Sequence, residues 1–137
     1  MDYLATERTI VEALEQLSQL RQVYVTSNME DLIERTQTSP CAHVLYGGDS
    51  IPEGAQGGKV TKVKQTWLVV LCMRLGKDSS QTGELLDAIL KKLMGKKANG
   101  CSPLLRINPP LRPSFSKSFG YYPVAFTTTF THKGDTQ

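Results

Sequence analysis

The run from Val60 to Leu75, VTKVKQTWLVVLCMRL, limits what this chain can fold into more than any other stretch. Side chains alternate across a strand, so Val63, Trp67, Val69, Leu71, Met73 and Leu75 share one face, and Lys62, Lys64, Thr66, Leu68, Val70, Cys72 and Arg74 share the other. The first face is apolar nearly throughout. The second is polar at both ends and apolar at Leu68, Val70 and Cys72, as in a central strand covered on both sides only in its middle. At about 3.3 Å per residue the run outreaches an ordinary strand. Its lysine-bearing first half is therefore expected to project from the body of the domain as one wall of a hairpin.

With 137 residues the chain has the length of one domain, 1–137, with flexible ends expected at 1–3 and 132–137. Its longest apolar run, Trp67 to Met73, falls far short of the roughly 20 residues that span a bilayer. The opening MDYLATERTI has neither the basic nor the apolar region of a secretory signal, so a soluble protein made in the cytoplasm, without a membrane partner, is expected. Three cysteines, Cys41, Cys72 and Cys101, are an odd number without CxxC spacing and do not form a disulfide framework. Cys72 reads as a small core hydrophobe.

The net charge of +3 is unevenly spread: residues 1–54 carry three basic and nine acidic groups, and residues 55–137 carry thirteen basic and four acidic. If the asymmetry survives in space, the acidic side of one copy can meet the basic side of the next. A repeated contact of that kind closes into a ring or grows into a filament.

Along the chain, residues 4 to about 20 form an amphipathic helix with Ile10, Val11, Leu14, Leu17 and Leu20 near one face. Val23 to Thr26 is β-prone. Ser27 with Glu30 fits a capping box opening a second helix, whose inward stripe is Met29, Leu32, Ile33 and Thr36. After Pro40, Cys41 to Tyr46 is a strand. Gly47 to Gly58, GGDSIPEGAQGG, is too rich in glycine for a regular element and reads as a mobile hairpin loop. Beyond the central strand, Asp78 to Ser80 supply helix caps, Leu85, Leu86, Ile89, Leu90 and Leu93 give a helical stripe, and Gly95 ends it. Lys91, Lys92, Lys96 and Lys97 crowd the C-terminal end of that helix, where positive charge suits the dipole. Leu104 to Ile107 is a short strand, and Asn108 to Gly120 is an extended arm holding three prolines and two phenylalanines. The last strand, Tyr121 to Thr131, alternates cleanly, with Pro123 marking an edge or a start outside the ladder. The class is α+β: a split βαβ-like order, β-α-β-β-α-β, with a mainly antiparallel sheet, helices packed on one side of it, an added N-terminal helix, an extra C-terminal strand and two long hairpin loops.

Catalytic chemistry is hard to assemble from these residues. Cys41 and His43 share a strand face and begin a metal site or a thiol-imidazole pair, but no further ligand follows in sequence. The glycine-rich loop matches neither GxGxxG nor the P-loop and precedes no helix. RNA-recognition domains with a similar order stack bases on exposed aromatics, whereas the single tryptophan here, Trp67, sits among residues of buried type. No catalytic residue, metal ligand or cofactor is assigned, and the chain reads as a non-enzyme without specific nucleic-acid binding.

The helix ERTIVEALEQL, the strand end VLYGG with its glycine-rich loop, the strand QTWLVVLCMRL, the helix GELLDAILKKLMG and the closing YYPVAFTTTF together resemble the tail terminator proteins of tailed bacteriophages, including the Mu-like family and the lambda-type terminator. The resemblance spans about residues 4 to 131. It implies a virion subunit at the head-proximal end of the tail that forms a hexameric ring on the tail tube, stops its polymerisation and offers a surface to the head or neck connector. Its implied partners are its own copies, the tube protein, the connector and, if the tail contracts, a sheath protein, with phage DNA passing through the ring. Subunit contacts are expected at Gly47, Gly48, Gly57, Gly58, Lys59, Lys62 and Lys64, and tube or neck contacts at Leu111, Arg112, Phe115 and Phe119. A neck or head-tail adaptor is the nearest alternative. A small basic domain that binds nucleic acid or an acidic protein is the other.

Overall fold

The computed structural model describes residues 2–35, 38–52, 58–76 and 79–135; Thr36, Gly57 and Asp78, given roles above, lie outside them. Helix α1 (Ala5–Glu15) leads into strand β1 (Gln22–Val25), short helix α2 (Met29–Glu34) and strands β2 (Cys41–Ser50) and β3 (Val60–Arg74). A 3-10 turn, Ser79–Gln81, opens helix α3 (Thr82–Leu93), and strands β4 (Leu105–Ile107), β5 (Ser114–Phe115) and β6 (Phe119–Lys133) complete the chain. The six described strands form one sheet in the order β1-β2-β3-β6-β4, with β5 also paired to β6. Only the β1–β2 pair is parallel.

The alternation of β3 decides the layering. Trp67, Val69, Leu71 and Met73 face Ile10, Ala13 and Leu14 of α1 and Leu85, Ile89 and Leu93 of α3. Leu68, Val70 and Cys72, on the reverse face, lie with Cys41, Leu45, Tyr121 and Ala125 under Leu32 of α2. The strand centre is thus covered on both sides, and each large apolar side chain buried there contributes about 1.5–3 kcal/mol. Strand β6 pairs with β3 along its whole length, from Val60↔Lys133 to Arg74↔Phe119. Pro123 lies within β6, opposite Val70, in the gap between the stretches that β4 and β5 pair with.

The α+β class and the mainly antiparallel, helix-covered sheet are as expected, but the details differ. Strands β1 and β2 are immediate neighbours, so no strand splits the β1–α2–β2 unit. A parallel connection between neighbours needs a crossover on one face, and α2 fills it, which puts α2 opposite α1 and α3 and not on their side. Helix α1 stops at Glu15; Leu17 and Leu20 still reach the core because tight turns, Leu17 N to Leu14 O at 3.0 Å and Leu20 N to Leu17 O at 3.1 Å, replace the last helical turn. The N-cap of α2 is Asn28, not Ser27: its side chain accepts from Asp31 N at 3.0 Å. With only six residues, α2 turns Leu32 inward and leaves Ile33 54% exposed.

The first residues of the glycine-rich stretch are strand and not loop. Gly47 and Gly48 belong to strand β2, where a bulge between Tyr46 and Asp49 absorbs the extra backbone. A Cβ on Gly47 would lie 2.7 Å from Leu68 Cδ1 and 3.0 Å from Thr66 O, and Gly48 has φ +91°. Gly48→Ala is therefore expected to cost about 1–2 kcal/mol in urea unfolding, since a side chain strains that backbone; an unchanged midpoint would show that the bulge relaxes freely.

Nor does the first half of β3 stand free. Val63 and Phe130 pack with Ala98 and Cys101 beneath Tyr3 and Ala5. The buried Gln65 donates to Tyr3 O at 2.8 Å and accepts from Trp67 Nε1 at 3.2 Å. Both expected flexible ends take part: His132 and Lys133 extend β6, and the Tyr3 ring meets Phe130 and His132 edge-on at 5.2 and 5.5 Å.

Candidate interface surfaces

Covering one face of the β3–β6 ribbon leaves the other open. Strand register places Lys62 opposite Thr131, Lys64 opposite Thr129 and Val60 opposite Lys133 on the face that α2 covers at its far end. α2 is too short to reach this end, so Lys62, Lys64, Thr129, Thr131 and Lys133 are exposed, with Ser50 of β2 beside Lys64. The result is a basic patch with two threonines, in which Lys62, Thr129 and Thr131 line a shallow pocket with Pro52 and Gly100. At the α2 end of the same face, Glu30 and Glu34 are exposed and Asp31 is partly so. Arg35 at the end of α2, Arg74 and Arg112 stand at that end too, so its carboxylates are interspersed with arginines and only the lysine end carries charge of a single sign.

The residues expected at a subunit contact do not all share this patch. Lys62 and Lys64 do. Lys59 precedes it, and its carbonyl accepts from Gly134 N at 2.6 Å. Gly58 (φ +72°) is in the turn before β3, Gly47 and Gly48 shape the neighbouring bulge, and Gly57 is outside the described residues. Thr129, Thr131 and Lys133 were missing from the sequence-based set, because joining them to the lysines requires the register of β3 against β6.

Asp49, just past the bulge, ties this region to the N-terminus. The Tyr3 hydroxyl donates to Asp49 Oδ2, and the Tyr46 hydroxyl donates to the same oxygen at 3.1 Å. The hydrogen bond to Asp49, aided by burial and by its negative charge, pushes the Tyr3 phenol up to about 12 from its ordinary 10.0. A phenol raised on folding stabilises fully below about pH 10, and that contribution fades as pH rises toward 12. Asp49→Asn is expected to bring the Tyr3 step down toward pH 10 in an ultraviolet absorbance titration. An unchanged titration curve would contradict the contact.

The arm straddles the β6 edge. Leu111 and Arg112 line a pocket of about 160 Å³ with Met29, Val70, Ser114, Tyr121 and Pro123, on the α2 side. Phe115, 62% exposed, meets Tyr122 edge-on at 5.7 Å, and Tyr122 packs with the core on the α1 and α3 side. Phe119 is half-buried with the α2-side cluster, under the Arg74 guanidinium at 5.6 Å. The four residues therefore form no single patch; Leu111 and Arg112 share a pocket that Phe115 does not.

One cluster of reactive groups lies in the interior. Cys41 and His43 of β2 share a face, and Cys72 of β3 stands directly opposite Cys41. All three are fully buried, with Cys41 Sγ 3.6 Å from His43 Nε2 and His43 Nδ1 2.6 Å from Thr26 Oγ1. The Cys72 thiol, with His43 adding to it, holds the Cys41 thiol below its ordinary range, against the opposing effect of burial, while the neighbouring Cys41 pushes Cys72 up. Tyr24 stacks on the imidazole at 5.0 Å.

These features sit on a fold seen elsewhere. A solved structure aligns with 98% of this chain and 94% of its own at a TM-score of 0.51 and 10% identity, which makes the two folds alike. No curated protein matches the sequence. Matched over residues 1–136 by the family model described as phage tail terminator protein, the chain belongs to that family of structural bacteriophage tail proteins.

Proposed function

We propose that this chain assembles as a closed ring, a hexamer, on the last ring of the tail tube at the head-proximal end, stops tube polymerisation there and presents the attachment surface for the head or neck connector. The observation that carries this reading is the single sheet face with Lys62, Lys64 and Lys133 at one end and the acidic α2, with Glu30, Asp31 and Glu34, at the other. Lysines on one copy set against the carboxylates of α2 on the next favour a head-to-tail contact between identical copies, and such a contact closes into a ring when its rotation permits. The arm, with Leu111, Arg112, Phe115 and Phe119, supplies the contacts to the tube or the connector. A sheath protein joins these partners if the tail contracts, and DNA passes through the ring opening. Assembly takes place in the host cytoplasm.

Adding the purified chain to tail-tube protein during polymerisation tests this directly. Tubes of reduced length bearing a ring at one end are expected in negative-stain images. Tubes that grow to the same length with and without the chain would overturn termination, and binding to the connector alone would favour the neck-adaptor reading.

A further inference from the structure

We propose that Cys41, His43 and Cys72 are the three protein ligands of a thiophilic divalent cation such as zinc, held between β2 and β3 beneath α2. The inference does not depend on the ring. It starts from the donor set: two thiols and one imidazole suit zinc, and the three donor atoms lie within 4.8 Å of one another. Metal–sulfur bonds of about 2.3 Å and a metal–nitrogen bond of about 2.0–2.1 Å at tetrahedral angles put sulfur and nitrogen about 3.6 Å apart and the two sulfurs about 3.8 Å apart. Cys41 Sγ and His43 Nε2 are already 3.6 Å apart. Drawing in the Cys72 thiol takes a shift of no more than about 1 Å, a turn of roughly 35° about χ1 that carries the modest cost of a side chain held off its staggered rotamer.

The surroundings orient the ligands as a metal site requires. A ligating imidazole is held by a polar partner on its other nitrogen, and Thr26 Oγ1 stands 2.6 Å from His43 Nδ1. That partner leaves Nε2 facing the cysteines. Tyr24 stacks on the ring and fixes its plane, while the Tyr24 hydroxyl pairs with Thr38 Oγ1 at 2.9 Å. The ligands come from two adjacent strands in the sheet interior, in a register set by the long β2–β3 ladder, so their backbones are placed before any metal arrives. Without one, the fully buried imidazole nitrogen Nε2 meets, among the described residues, a thiol, a weak hydrogen-bonding partner. The fourth position is left to water or a neighbouring hydroxyl. Entry needs only a local opening of the six-residue α2 that roofs the cluster.

The test is cobalt uptake by the full chain, reduced and stripped with a chelator, titrated natively and also refolded from urea with Co²⁺ present. The proposal expects one equivalent bound, with thiolate-to-cobalt charge-transfer absorption and tetrahedral d–d bands that zinc abolishes on displacement. The signal is expected to persist in Cys101→Ser, whose thiol lies in a separate cluster, and to be lost in Cys41→Ser and Cys72→Ser. Because buried substitutions can unfold the chain, the wild-type protein gives a second readout: zinc slows alkylation of Cys41 and Cys72 and leaves that of Cys101 unchanged, as mapped by mass spectrometry. No cobalt uptake by either route, uptake that survives Cys72→Ser, or alkylation insensitive to zinc would overturn the site.

Discussion

The double variant Lys62→Glu/Lys64→Glu is expected to keep the fold of the monomer and to lose ring assembly. Both side chains are exposed, so their reversal costs the core nothing and should leave the far-ultraviolet spectrum and urea midpoint nearly unchanged. At the proposed subunit contact, each exposed pair contributes about 0.2–1 kcal/mol, and reversal turns attraction into repulsion. Two reversed lysines should weaken each contact by about 1–3 kcal/mol, or roughly 5- to 150-fold in affinity. The deficit should deepen at low salt, where screening is weak. Light scattering and native mass spectrometry on tube-capped assemblies would measure it. Rings of unchanged mass and salt dependence would remove these lysines from the contact, whereas partial recovery on adding Glu30→Lys/Glu34→Lys in α2 would identify the acidic partner.

Trp67→Ala should bring the largest loss of stability of any single change. Trp67 is fully buried at the centre of β3, opposite Phe126, and its ring lies 5.0 Å from that of Tyr46. Truncating such a residue costs about 3–5 kcal/mol, against total stabilities of about 5–15 kcal/mol for domains in general. The loss reaches further, because Trp67 Nε1 donates to the buried Gln65, which in turn holds Tyr3. Trp67→Phe keeps most of the volume and loses that hydrogen bond, so it should fall in between. Circular dichroism is the suitable probe, since Trp67 is the sole tryptophan and fluorescence disappears with it. A Trp67→Ala midpoint within about 1 kcal/mol of wild type would contradict the layering described here.

Period-two alternation made β3 and β6 legible, face by face: Trp67, Val69 and Leu71 on one side and Leu68, Val70 and Cys72 on the other are buried as alternation required. Helix α3 was equally clear, because Leu85, Ile89 and Leu93 repeat at helical spacing. What stayed hidden depends on partners distant in sequence. The pairing Cys41↔Cys72 brings a third group to Cys41 and His43, and no local pattern reports a register. The basic patch was half visible, since Lys62 and Lys64 show their face by alternation while Lys133 joins them only through β6. Gly47 and Gly48 suggested a loop because glycine is common in loops, yet here they permit a bulge and a close approach inside a strand. His132 and Lys133 carry tail-like polarity, and the ladder with β3 overrides it.

The most direct measurement of the central claim is the length of tails assembled in infected cells that lack this chain, read by electron microscopy. Overlong, ragged tubes without an attached head are predicted, with normal length restored by the wild-type chain and not by Lys62→Glu/Lys64→Glu. Tails of normal length and finish in its absence would contradict the claim that this protein ends tube growth.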